Sequence, residues 1–211
     1  MDRRELLKMI ALVTGSAFIG GEFLLTGCKS KDASVGGATF SESDIAFLDE
    51  VGETILPKTK SPGAKAAEVG MYMTVMVNDC YDKDDQKTFH EGIKQLNEAS
   101  EKMFNTGFMK ATPQQRHDLL VSLDKEAKEY QKTKDEFDKA QNQKEKEEIA
   151  KGNKDFKKEK KPAHYFTMMK QLTLHGFFTS KVGATEALRH VAVPTKYEGC
   201  VPYKKGDRAW A

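Results

Sequence analysis

The chain has 211 residues, and its 34 lysines and arginines nearly balance 32 aspartates and glutamates, for a net charge of +2. That balance argues against a nucleic-acid partner, which would demand a clear basic excess. The length suits one domain with its own core plus an extension, and charges of mixed sign read as solvated helix faces.

Residues 2–8, Asp-Arg-Arg-Glu-Leu-Leu-Lys, carry a twin-arginine signal centred on Arg3 and Arg4. A mildly apolar run from Met9 to Leu25, softened by Gly15, Gly20 and Gly21, leads into Leu25-Thr26-Gly27-Cys28. Positive region, apolar region, then small residues before a cysteine is the order of a cleaved lipoprotein leader. A paired arginine marks the bacterial route that carries already folded proteins. The competing reading is an uncleaved membrane anchor, but the run spans only 17 residues and Glu22 interrupts it. The expected organisation is therefore a signal peptide over 1–27, a tether over 28–40 and one helical domain over 41–211. The mature chain would begin at a lipidated Cys28 in the bacterial envelope, as a periplasmic or outer-membrane lipoprotein.

Helical order is expected from Ser41, whose spacing to Asp44 resembles a capping box. Ile45, Leu48, Val51 and Ile55, with Phe47 and Leu56, form one apolar stripe, and Pro57 ends it. Ser61-Pro62-Gly63 marks a turn. A second helix is expected over 64–81 with Val69, Tyr72, Met73 and Met76 inward, and a third over about 84–104 with Phe89, Ile93, Leu96 and Met103 inward. Thr112-Pro113 reads as a helix start, with Leu119, Leu120 and Leu123 on the apolar face.

Between Asp124 and Lys161 thirteen lysines face eleven acids, while the apolar residues thin to Tyr130, Phe137, Ile149 and Phe156. Pairs four residues apart add only about 0.2–0.5 kcal/mol each. The segment is expected to be a protruding, poorly anchored helical arm, frayed near Gly152-Asn153, and it lacks the apolar heptad of a coiled coil. Pro162 restarts order, with Phe166, Met169, Leu172 and Leu174 inward, a short helix over about 184–189, and an irregular tail over 191–211. The fold class is all-α: a small multi-helix domain with a long charged helical excursion and an irregular C-terminal tail.

No glycine-rich dinucleotide fingerprint and no Cys-x-x-Cys-His occurs in the chain. His90, His117, His164, His175 and His190 never adopt a paired metal-ligand spacing and read as surface or capping residues. Ser180 with His175 or His190 lacks the elbow motif of a nucleophile. Asp82, Asp84 and Asp85 lack a closing glutamate and read as a helix boundary rather than a calcium loop. No catalytic, cofactor-binding or metal residue is assigned. With Cys28 committed to lipid, Cys80 and Cys200 remain, and an internal disulfide or a bridge from Cys200 to another chain are both open. Cys80 could also be a buried core thiol.

Ile55-Leu56-Pro57 with Ser61-Pro62-Gly63-Ala64, then Leu172-Thr173-Leu174-His175-Gly176-Phe177-Phe178-Thr179-Ser180-Lys181-Val182-Gly183, then Val193-Pro194-Thr195-Lys196-Tyr197-Glu198-Gly199-Cys200 occur in that order. Together, behind a twin-arginine leader, they resemble the gluconate 2-dehydrogenase subunit 3 family over most of residues 44–203, with the 124–161 arm unmatched. The chain departs at Ser61, Phe177 and Thr195, where threonine, tyrosine and glycine are common. The resemblance implies a small, non-catalytic helical subunit bound to a large flavin-dependent (GMC-type) sugar or sugar-acid dehydrogenase. FAD would sit in that partner, often with a separate cytochrome c subunit, and the small subunit would lend its export signal to the partner and stabilise it; the lipobox and the charged arm are unusual beside the simplest members. Because adjacent aromatics cannot both face one helix core, one ring of Phe177 and Phe178 is expected at the partner interface. Tyr197, Cys200 and Tyr203 of the tail are expected there too. The alternative is a freestanding envelope lipoprotein that acts as a binding or scaffold module through its charged arm.

Overall fold

The computed structural model describes residues 40–210 except 154, 194, 198 and 203, so Arg3, Arg4, Cys28, the tether over 28–39 and Tyr203 lie outside the described residues. Among the described residues five α-helices follow in order: α1 (Glu42–Ile55), α2 (Val69–Cys80), α3 (Lys83–Phe104), α4 (Pro113–Ala150) and α5 (Tyr165–Thr179). Short 3-10 turns occupy Ala64–Ala67 and Phe108–Lys110, and a π turn occupies Gly183–Ala187. Among the described residues there is no strand, only an isolated bridge between Arg189 and Trp210. The all-α expectation holds.

The helix starts follow from local chemistry, because the first N–H groups of a helix need acceptors from outside it. Ser41 and Asp44 exchange side-chain and backbone bonds in a capping box at α1, and Thr112 and Gln115 do the same at α4 with Pro113 in the first turn. Asp82 accepts the Asp85 N–H at α3, and His164 Nδ1 accepts the Phe166 N–H at 3.2 Å at α5. The turn after α1 is held by Glu53, whose carboxylate accepts the N–H of Lys58 at 2.8 Å and of Lys65 at 2.9 Å. A side chain at Gly63 would collide with that carboxylate, which is why this turn carries a glycine. The Pro57–Ala64 motif is thus a clasp of the fold.

Leu48, Val51, Met73, Val77, Phe89, Leu96, Phe108 and Met169 are fully enclosed and form the centre of one core. Arg116 of α4 ties three elements together from its edge. It pairs with Glu50 of α1 and donates to the carbonyls of Phe108 at 3.0 Å and Met109 at 2.9 Å. Burial alone would raise the Glu50 carboxyl, but Lys65 and Arg116 together hold it below its ordinary value.

Four expectations need correction. The helix expected over 64–81 is broken at Glu68, which takes a left-handed conformation (φ 51°) between the 3-10 turn and α2. Asp49 Oδ1 of α1 accepts the Gly70 N–H at 2.8 Å, so the first turn of α2 is seated on α1 and the chain must be re-aimed just before it. Met103 is 51% exposed, because the buried stripe of α3 passes instead to Ser100, whose hydroxyl donates to the Thr106 carbonyl at 2.9 Å. Leu174 is also outward, and Thr173 is enclosed in its place with its hydroxyl satisfied by the Met169 carbonyl at 2.8 Å. Finally, the arm is helical only to Ala150. Gly152 (φ 91°) turns the chain, and an irregular segment runs back along α4. Contacts from Lys158 to Glu145 at 3.0 Å, Tyr130 to the Pro162 carbonyl at 3.0 Å and Lys160 to Asp82 at 3.1 Å fasten the return.

Candidate partner interface

Helices α2 and α5 pack side by side, and their inner faces supply Val69, Met73 and Val77, and Phe166, Met169 and Phe177, to the core. Their outer faces are mixed, with apolar side chains set among polar ones such as Asp79, Gln171 and His175. Met71 and Val75 of α2 are each 49% exposed, four residues apart, and Leu174 and Phe178 of α5 repeat that spacing outward. At the seam the Tyr72 hydroxyl pairs with His175 Nδ1, and the two rings stack at 5.7 Å. Burial pushes the Tyr72 phenol up, so it stays neutral. A helix that is apolar all round is normally covered on both sides. That signal was legible in Val69-Gly70-Met71-Tyr72-Met73-Thr74-Val75, yet Met71 and Val75 were not singled out from the sequence.

The expected contact residues separate here. Phe177 is buried in the core and drops out of the exposed set, whereas Phe178 is outward, its ring edge-on to Phe177 at 5.1 Å. Tyr197 is almost wholly exposed. Cys80 and Cys200 are both exposed and free, so Cys80 is no core thiol.

A cleft of about 570 Å³ lies where the arm closes on the start of α3, and its lining includes Asp82, Asp85, Lys134, Asp138, Gln141 and Lys160. Lys134 pairs with Asp138 at 2.5 Å and Lys160 with Asp82 at 3.1 Å. The Asp85 N–H, then Lys160, hold the Asp82 carboxyl low, while burial and the neighbouring Asp82 charge push Asp85 up. Of these, the Lys160–Asp82 pair joins the returning limb to the start of α3 and latches the arm.

Several of the remaining candidates have structural roles. The Ser180 hydroxyl donates to the Phe177 carbonyl at 2.7 Å and accepts the Gly183 N–H at 2.9 Å, which closes the end of α5. His164 caps α5, His90 stacks on Phe40 at 4.0 Å, and Asp82 caps α3. Among the described residues no three His, Cys, Asp or Glu side chains are grouped to hold a metal, and no helix is long and apolar enough to cross a membrane.

These elements define an all-helical module with outward apolar rows on two neighbouring helices. The profile of gluconate 2-dehydrogenase subunit 3 matches residues 42–195, from the first turn of α1 past the π turn, and the chain belongs to that family. The matched residues end before Tyr197 and Cys200, so the last part of the expected Val193–Cys200 motif lies beyond them. No curated protein and no solved structure matches the chain.

Proposed function

We propose that the chain is the non-catalytic small subunit of a dehydrogenase complex. It exports, anchors and stabilises a large flavin-dependent (GMC-type) sugar or sugar-acid dehydrogenase that carries the FAD. A cytochrome c subunit is the expected onward electron carrier. The family match over residues 42–195 carries this reading. The outward rows Met71/Val75 and Leu174/Phe178 support it, since apolar surface next to a satisfied core is what a partner would cover. Arg3 and Arg4 would direct both chains through a translocator of folded proteins, which suits a partner loaded with flavin before export. Lipid on Cys28 would then hold the complex at the envelope, where two acyl chains give stable anchoring and one gives only marginal binding.

The test is co-expression of the full chain with its candidate large subunit. Flavin absorbance and sugar-acid-dependent dye reduction should co-purify with the small subunit at a fixed ratio. Lysine at both Arg3 and Arg4 should strand both chains in the cytoplasm, and Cys28→Ala should release the complex from membranes. Phe178→Ala should weaken the pair by about 2 kcal/mol or more, the range of a truncated aromatic anchor. A large subunit that reaches the envelope unaided would defeat the export role. A small subunit that purifies alone would favour the freestanding lipoprotein.

A further inference from the structure

The limb that returns from the arm is held differently along its course. From Pro162 onward it is fixed: the Pro162 carbonyl accepts the Tyr130 hydroxyl at 3.0 Å, and the buried His164 caps α5 and stacks on Tyr165 at 4.5 Å. At the far end Gly152 turns the chain with φ 91°, and a side chain there would meet open space. Residues 155–161 lie between these points without regular structure. Among the described residues no backbone–backbone hydrogen bond joins them to α3 or α4. Side chains supply the fastenings instead. Lys158 reaches Glu145 at 3.0 Å and the Asn142 amide oxygen at 3.1 Å, Glu159 and Gln141 exchange two long bonds of 3.4 Å, and Lys160 reaches Asp82 at 3.1 Å. The Lys161 ammonium lies 4.7 Å from the centroid of the Tyr130 ring. Lys158, Glu159 and Lys160 are exposed, so these bonds face water, where each holds weakly.

Residues 158–161 also form one wall of the 570 Å³ cleft, a volume in the range of small-molecule sites. Helix α4 supplies Lys134, Asp138 and Gln141 to the lining at helical spacing, and α3 supplies Asp85. The Lys134 side chain is only 19% exposed. We infer that residues 155–161 are a strap over this cleft that opens as a unit between Gly152 and Pro162, and that ionic strength sets how often it is open. Local opening falls on segments with few buried contacts and solvent-facing bonds, and moving this one breaks no helical hydrogen bond. Two of its fastenings join full opposite charges, so the strap loosens as salt rises. An open strap also takes Lys160 away from Asp82 and Asp85, both of which its charge draws toward the ionised form. The strap therefore governs both access to the cleft and the charge that the cleft presents.

The test follows acetylation of Lys134 by N-hydroxysuccinimide acetate, read by mass spectrometry on the full chain in detergent. Lys158→Glu with Lys160→Glu sets like charges against Glu145 and Asp82. In that open variant Lys134 should react at least fivefold faster than in the parent, with helical circular dichroism unchanged. Lys158→Glu with Glu145→Lys exchanges the two ends of one pair and should react within twofold of the parent. Raising salt from about 0.1 M to about 1 M shortens the screening length from about 10 Å to about 3 Å. The parent should then quicken toward the open variant, and the open variant should change less. An open variant whose Lys134 reacts within twofold of the parent overturns the inference. So does faster reaction that comes with a fall in helical signal, because the arm itself has then unravelled. A parent whose rate ignores salt overturns it too. None of these outcomes depends on a dehydrogenase partner, so the small-subunit reading stands or falls separately.

Discussion

From Pro113 to Ala127, α4 sends Leu119, Leu120, Leu123 and Ala127 into the core; from Lys128 to Ala150 it buries Gln141 alone. The first half starts from a capping box and is packed against α1, α3 and α5. The second half is held by Lys134–Asp138 within the helix, by Lys158–Glu145 to the returning chain, and by Gln141, whose Oε1 accepts the Glu159 N–H at 3.4 Å. Starting a helix is costly and lengthening it is cheap. The packed half therefore supplies the nucleus, and the Lys-, Glu- and Gln-rich half propagates from it on intrinsic propensity. Two stretches of one unbroken helix owe their stability to different physics.

The severest challenge to that comparison is Phe89→Ala, which removes a fully enclosed ring from the core that nucleates α4. It should cost about 3–5 kcal/mol. Denaturant unfolding followed by circular dichroism should show the arm's helix lost in the same transition. A residual helical signal from 128–150 after the core has melted would mean that the arm stands alone. Next in size, Gly63→Ala drives a methyl into the Glu53 carboxylate and should cost about 1–3 kcal/mol, the usual range for overpacking. The arm should be unaffected, as hydrogen exchange at 141–150 would report.

Acid sharpens the contrast further. The Glu50 carboxyl is held below its ordinary value of 4.5, so its stabilising pair is complete above pH 4.5 and is lost as pH falls through the lower folded value. Glu50→Gln should lower stability at pH 7 by about 1.5–3 kcal/mol, the range for hydrogen bonds to charged groups. It should also flatten the acid limb of a melting-temperature profile. An unchanged acid limb would show that Glu50 does not anchor α1 to Arg116. Asp85 runs the other way: its raised value means that stability rises as pH drops from that value toward 3.8.

The smallest effect belongs to the arm. Gln141→Ala should cost less than about 1 kcal/mol globally, since a neutral hydrogen bond contributes about that much. Exchange over 141–160 should quicken while the melting temperature holds. Added salt should do the same by screening exposed pairs worth about 0.2–1 kcal/mol. Equal slowing or quickening of both halves of α4 would erase the distinction drawn between them.

Much of this was legible residue by residue. The caps at Ser41 and Thr112-Pro113, the helix boundary at Asp82, and the stripe through Leu48 and Val51 depend on neighbours within one or two turns, and the structure places them as read. The misreadings share a cause. Whether Ser100 or Met103 turns inward, and Thr173 or Leu174, depends on which hydroxyl finds a carbonyl nearby, Thr106 just past the helix end for Ser100 and Met169 within the helix for Thr173, and on where the neighbouring helix lies. The adjacent rings of Phe177 and Phe178 signalled that one must leave the core, but the packing of α5 decided that Phe178 is the one exposed.

The amino-acid order by itself determined the all-helical class, the starts of α1, α3 and α4 and the family, because caps, apolar periodicity and turn motifs act over a few residues. Tertiary structure decided the break at Glu68, the Arg116–Glu50 tie, the folded-back limb after Ala150 and the docking of Arg208 on the Thr185 and Glu186 carbonyls. Each of these depends on groups brought together across the fold, such as Asp49 with Gly70 or Arg189 with Trp210, and pairings at that range leave no periodic trace in a single chain.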